Sequence, residues 1–95
     1  MTFNIEGRVY RVIEHIWRDH PERIGQITID LIRQTLLNPE QIGPGKLGRV
    51  IYWRWFPEFG DRGNYLKVIV DETDVPYLVV SAMPDRNERR RRRGI

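Results

Sequence analysis

The stretch Arg8-Val9-Tyr10-Arg11-Val12-Ile13-Glu14-His15-Ile16-Trp17-Arg18-Asp19-His20 decides how the chain is read. Its apolar residues Val9, Val12, Ile13, Ile16 and Trp17 recur at three and four positions, the spacing that lines one face of an amphipathic helix. Arg11, Glu14, Arg18 and Asp19 fall on the opposite side. Pro21 disfavours helical geometry at His20, so the predicted helix ends at Asp19 or His20. Downstream, Thr28 suits an N-cap and Asp30 a first turn, while Leu31, Ile32, Thr35 and Leu36 make a buried stripe. Asn38-Pro39 ends this second helix.

Gly43-Pro44-Gly45-Lys46-Leu47-Gly48 reads as a loop, and beyond it the period changes. Arg49 to Phe56, Tyr65 to Asp71 and Tyr77 to Met83 are rich in β-branched and aromatic residues, with turn-forming segments between them. They predict three consecutive antiparallel strands. In the first, Val50, Tyr52, Arg54 and Phe56 share one face, and Ile51, Trp53 and Trp55 the other. Leu78-Val79-Val80 is apolar on both faces, as a central covered strand requires. Residues 2–5 (TFNI) add a short edge strand. The predicted fold class is α+β: two N-terminal helices packed on a three- to four-stranded antiparallel sheet. Residues 1–84 form one domain in this reading, and 85–95 an arginine-rich C-terminal tail.

Sixteen Lys and Arg against thirteen Asp and Glu in 95 residues give a net charge of +3. Residues 85–95 contain Arg86 and Arg89 to Arg93 against Asp85 and Glu88, a local +4, so the other 84 residues sum to −1. The pI near 9.7 therefore belongs to the tail. Five consecutive arginines repel one another and favour an extended, solvated segment; they also suit phosphate backbones without sequence preference. Arg86, Arg89, Arg90, Arg91, Arg92 and Arg93 are accordingly the candidate RNA-binding residues.

The absence of cysteine excludes disulfides, thiolate metal sites and a cysteine nucleophile. The apolar runs fall far short of the ~20 residues of a membrane helix. MTFNIEGRVYR lacks the basic-then-apolar order of a signal peptide, so a soluble cytoplasmic protein with no membrane partner is expected. GPGKLG lacks P-loop spacing. His15 and His20 would lie about 140° apart around a helix, unsuited to a shared metal, and no metal or cofactor is expected.

Metal-free phosphodiester cleavage needs a base, an acid and cations for the crowded phosphate. His15, His20, Tyr52, Arg54, Lys67 and Ser81 are residues of the right kinds, and each also has an ordinary structural reading. His15 can be a surface residue flanking the core, and His20 can satisfy a helix-end carbonyl. Tyr52 and Arg54 are either core and buried cation or a pair on an open face, and in the latter case Trp53 and Trp55 supply the core. Lys67 marks a solvated face, and Ser81 is a small polar residue near a strand end.

Taken in order, several segments resemble a known group. His15-Ile16 with His20-Pro21-Glu22, Leu36-Leu37-Asn38-Pro39-Glu40-Gln41-Ile42, Ile51-Tyr52-Trp53-Arg54, Tyr65-Leu66-Lys67-Val68-Ile69-Val70 and Val79-Val80-Ser81-Ala82-Met83-Pro84 are similar to segments of the barnase–EndoU–colicin–RelE-like nuclease superfamily. The resemblance spans about residues 8–86. It implies two N-terminal helices on a four-stranded antiparallel sheet that carries an RNA site on its face. It implies a metal-independent endoribonuclease or toxin-like domain in which His15 is the general base or acid. Arg54 and Lys67 would stabilise the phosphate, and Tyr52 and Ser81 would position it. Ser81 replaces the usual threonine, and Met83 the usual tyrosine.

Two other readings stand beside the nuclease. One is a non-catalytic module that binds RNA, DNA or a protein through the sheet face and tail. The other is a protein-interaction component, the toxin-like partner of an antitoxin or a phage-encoded inhibitor, which an exposed apolar patch of Trp53, Trp55 or Phe59 would favour.

Overall fold

The computed structural model describes residues 1–23 and 25–95. The stretch that the spacing predicts as a long helix is mostly strand. Thr2–Ile5 (β1) and Arg8–Val12 (β2) form an antiparallel hairpin with Ile5 opposite Arg8. Two residues close it, Glu6 and Gly7, both with positive φ (51° and 83°). That is the geometry two-residue hairpins favour, and glycine enters it without steric cost. Within β2, Tyr10 and Val12 are buried while Arg11 between them is exposed, a period of two that the three-and-four spacing disguised. Only His15–Arg18 (α1) is α-helical; its Ile16 enters the core, and the Trp17 indole donates to the Ile27 carbonyl at 2.8 Å.

Ile29–Leu37 (α2) forms where its signals place it. The Thr28 hydroxyl accepts from Leu31 N at 3.2 Å, Ile32, Thr35 and Leu36 are buried, and the helix closes on Asn38 before Pro39. The remaining strands are Gln41–Pro44 (β3), Val50–Phe56 (β4), Asn64–Asp71 (β5) and Tyr77–Asp85 (β6). Residues 43 and 44, expected in a loop, are thus the end of a strand. All six strands join one sheet in the order β1-β2-β6-β5-β4-β3. Every neighbouring pair is antiparallel except β2 and β6, which are parallel.

The expected architecture of two N-terminal helices on a three- to four-stranded antiparallel sheet is therefore corrected. Among the described residues the domain is α+β, with a six-stranded mixed sheet and three short α-helices. Converting residues 8–12 from helix to strand lets the N-terminal hairpin extend the sheet alongside β6.

The register separates the faces, since residues directly opposite one another point the same way. Tyr52, Leu66, Val68, Val70, Val79, Ala82, Tyr10 and Val12 form the buried side with Ile16, Ile32 and Leu36. Each fully buried valine, leucine or isoleucine among them contributes about 1.5–3 kcal/mol by leaving water. A bulge between Ile69 and Val70 skips Val80, so that both Val79 and Ala82 are turned into the core. Ile51, Trp53, Trp55, Tyr65, Lys67, Ile69, Leu78, Ser81 and Met83 lie on the other face. Most of these are half-exposed.

Arg86–Arg93 (α3) is the second departure, because the arginine run is helical rather than extended. No helix among the described residues is long and apolar enough to cross a membrane.

Candidate nucleic-acid interface

Acidic groups arrange the arginine run. Asp85 caps α3, its side chain accepting from Glu88 N at 3.1 Å, while its other oxygen accepts from the Trp53 indole at 3.0 Å. Gly94, in the left-handed conformation, closes the other end. Glu88, only 4% exposed, pairs with Arg91 at 2.5 Å and with Arg92. One helical turn beyond Arg89, Arg93 returns to the sheet. Its guanidinium lies 4.0 Å from the Trp55 ring centroid, and it reaches the Tyr65 hydroxyl at 3.4 Å and Glu40 at 3.7 Å. Arg89 donates to the Gly63 carbonyl at 3.5 Å.

These contacts divide the six arginines into two groups. Arg91, Arg92 and Arg93 have carboxylate partners, whereas Arg86, Arg89 and Arg90 have none within 4.0 Å among the described residues. Arg86 and Arg90 are exposed and four residues apart, so they share one face of α3.

Below α3 the open face continues in ranks across the strands. Trp53, Lys67 and Met83 lie opposite one another in one rank, and Ile51, Ile69 and Ser81 in the next. Lys67 sits among aromatic and aliphatic side chains, and no carboxylate lies within 4.0 Å of it among the described residues. Of the residues whose exposed patch would favour a protein-interaction component, Trp53 is half-exposed and the other two are covered. Phe59 is buried in the core, and Trp55 is covered by Arg93.

No protein-family model, curated protein or solved structure matches the chain.

The structure brings together only some of the residues singled out for cleavage. Lys67 and Ser81 share the open face in adjacent ranks. Tyr52 and Arg54 project from the other face. Tyr52 is buried and donates its phenolic proton to the Glu72 carboxylate. Burial, and then that carboxylate, push the phenol well above its ordinary pKa. Arg54 donates to the Asn38 carbonyl at 2.9 Å and lies over the Phe56 ring, which ties the end of α2 to β4. His15 is on the surface of α1, 3.6 Å from Asp19, and His20 pairs with Glu22 at 3.3 Å.

Sequence reasoning missed two groupings. Glu88 and Asp85 organise the arginine helix, and their signal was available: an acidic residue at the cap, another three later, basic residues spaced three and four beyond, and a closing glycine. Glu72 meets Tyr52 from a different strand end, and nothing in either local sequence announces the pairing.

Proposed function

We propose that the chain is a non-catalytic RNA-binding module that engages single strands through the open sheet face and α3. The observation that carries this reading is the exposed pair Arg86 and Arg90 on a helix docked beside the half-exposed face of Trp53 and Lys67. Aromatic surface with flanking cations suits unpaired bases and their phosphates. The fixed helix presents its charges without the ordering cost an extended tail would incur.

Binding accounts for the geometry better than cleavage. A metal-free cut needs acid, base and cation around one phosphate. Arg54 and Lys67 stand on opposite faces of one sheet, and His15 belongs to neither cluster.

Fluorescence anisotropy with a labelled single-stranded RNA, titrated at several salt concentrations, tests the proposal. Tight, salt-dependent binding is expected, and Arg86→Ala with Arg90→Ala should reduce the slope of log affinity against log salt by about 1.4. No binding at low salt overturns the RNA reading. Cutting of the RNA in EDTA, lost in His15→Ala or Arg54→Ala, overturns its non-catalytic part.

A further inference from the structure

The β3–β4 connection is a second basic centre, and its backbone is unusual. Gly45 N donates to the Arg49 carbonyl at 2.8 Å, and Arg49 N donates to the Lys46 carbonyl at 3.1 Å. Between them Leu47 (φ 59°, ψ 32°) and Gly48 (φ 73°) are both left-handed, as in a two-residue type I′ turn. Glycine accepts that conformation freely; leucine does not. Yet Leu47 is 87% exposed, so its side chain gives the core nothing in return. An apolar residue held out under strain at a turn is a feature that folding alone does not explain.

The turn sets Lys46 and Arg49 at its two ends, beside the open face. Together with Lys67 they line a groove of about 590 Å³ floored by Pro44, Ile51 and Ile69. Among the described residues, none of the three cations has a carboxylate within 4.0 Å. Asp71 belongs to the same face, but its carboxylate accepts from Thr73 N at 3.0 Å and does not line the groove. Three positive charges stand around an apolar floor, with Asp71 acting on Arg49 from outside the groove; a phosphate attached to a flat ring would relieve their mutual repulsion and cover the floor.

We infer that this groove binds one nucleotide unit of a single strand, with its phosphate among Lys46, Arg49 and Lys67, its ring on Ile51 and Ile69, and Leu47 against the neighbouring base. The inference rests on the RNA-binding reading and adds a site at the end of the open face away from α3.

Two experiments on the full chain test it. In the first, amide NMR spectra are recorded during titration with adenosine 5′-monophosphate and, separately, with inorganic phosphate. Shifts at residues 45–51 and 67–69 that are larger for the nucleotide support the site. Equal shifts from both overturn the nucleotide assignment in favour of a simple anion site, and shifts confined to residues 86–93 overturn the groove altogether. In the second, RNA affinity near 0.1 M salt should fall about tenfold or more in Lys46→Ala/Arg49→Ala. Leu47→Asn, which suits the turn better, should fold at least as stably as the wild type yet bind RNA severalfold more weakly. Unchanged affinity in both variants overturns the groove, while loss in Arg86→Ala/Arg90→Ala alone leaves the RNA-binding reading standing. If the wild type binds no RNA at all, that reading falls, and the nucleotide titration still decides the groove by itself.

Discussion

On the helix-covered side of the sheet Leu66, Val68, Val70, Val79 and Ala82 are fully enclosed, whereas their immediate chain neighbours Lys67, Ile69 and Ser81 stay half-exposed on the other side. The same strands supply both surfaces, so the contrast is one of alternate residues rather than of separate regions. The enclosed side is occupied by α1 and α2 through Ile16, Ile32 and Leu36. Among the described residues, the open side has only α3, docked at one end. Stability and the proposed RNA binding thereby fall on even and odd positions of β4 and β5 respectively, and a one-residue change of target should switch which of the two is damaged.

The sharpest form of that contrast is Leu66→Ala against Lys67→Ala. Leu66 is enclosed on the core face, so truncation leaves a cavity and should cost about 2–5 kcal/mol in urea unfolding. Lys67, one residue on, should change stability by no more than about 0.5 kcal/mol while weakening RNA binding. Comparable destabilisation by both would mean that the open face is not open in solution.

Gly63→Ala probes the end of the open face that α3 covers. Gly63 has φ 73°, and a Cβ there would lie 2.5 Å from the Trp55 ring and 3.1 Å from the backbone of Pro57. The ring is itself pinned by Arg93 and by an edge contact with Tyr65, so it has little room to yield. Overpacking and left-handed strain together should cost about 2–4 kcal/mol, read from the thermal midpoint. A midpoint matching the wild type would show that Trp55 moves freely under α3.

Legibility in the sequence follows the same division between local and distant causes. The three later strands, the alternation along β4 and the limits of α2 were readable, because cap, period and proline lie within the segments they govern. The edge strand at residues 2–5 was also anticipated. Residues 8–12 misled because Val9, Val12, Ile13 and Ile16 satisfy a helical period. In the fold, Val12 ends a strand and Ile16 belongs to a separate helical turn. The decisive local signal was Glu6-Gly7, a two-residue hairpin loop, together with a partner strand able to accept β2. For the candidate site, residue types proved easier to read than directions. Lys67 and Ser81 do share a face, but Arg54 could be assigned to the covered side only after the helices were placed. Glu88 had a helix signature that was outweighed by the repulsion expected of five arginines, which its buried carboxylate offsets.

Glu88→Gln tests that last point. The substitution keeps the shape but removes the charge facing Arg91 and Arg92. Losing two charge-assisted hydrogen bonds in a nearly enclosed position should cost about 2 kcal/mol, concentrated in α3. Faster amide exchange across residues 86–93 and altered Trp55 fluorescence are expected while β5 stays protected. Unchanged exchange would mean that the Asp85 cap and the Arg93–Trp55 contact hold the helix unaided.

The smallest expected effect appears only in alkali and separates the covered face from the open one by titration. Tyr52 is buried against Glu72, and the Tyr10 phenol is also raised, chiefly by burial. In the unfolded chain both ionise near pH 10. A phenol whose pKa is raised on folding keeps its proton in the native state, so the unfolded state binds fewer protons above pH 10 and stability falls as pH rises. Below pH 10 this contribution is constant. Above it, each phenol should remove at most about 1.4 kcal/mol per pH unit, until its native pKa is reached. Absorbance at 295 nm, followed alongside unfolding, reads the ionisation directly. Tyr52→Phe should flatten the alkaline decline, though it lowers stability at neutral pH by removing the bond to Glu72. If Tyr52 ionised near pH 10 with the fold intact, the phenol would have to be in contact with water, and the face assigned to the core would be open at that end.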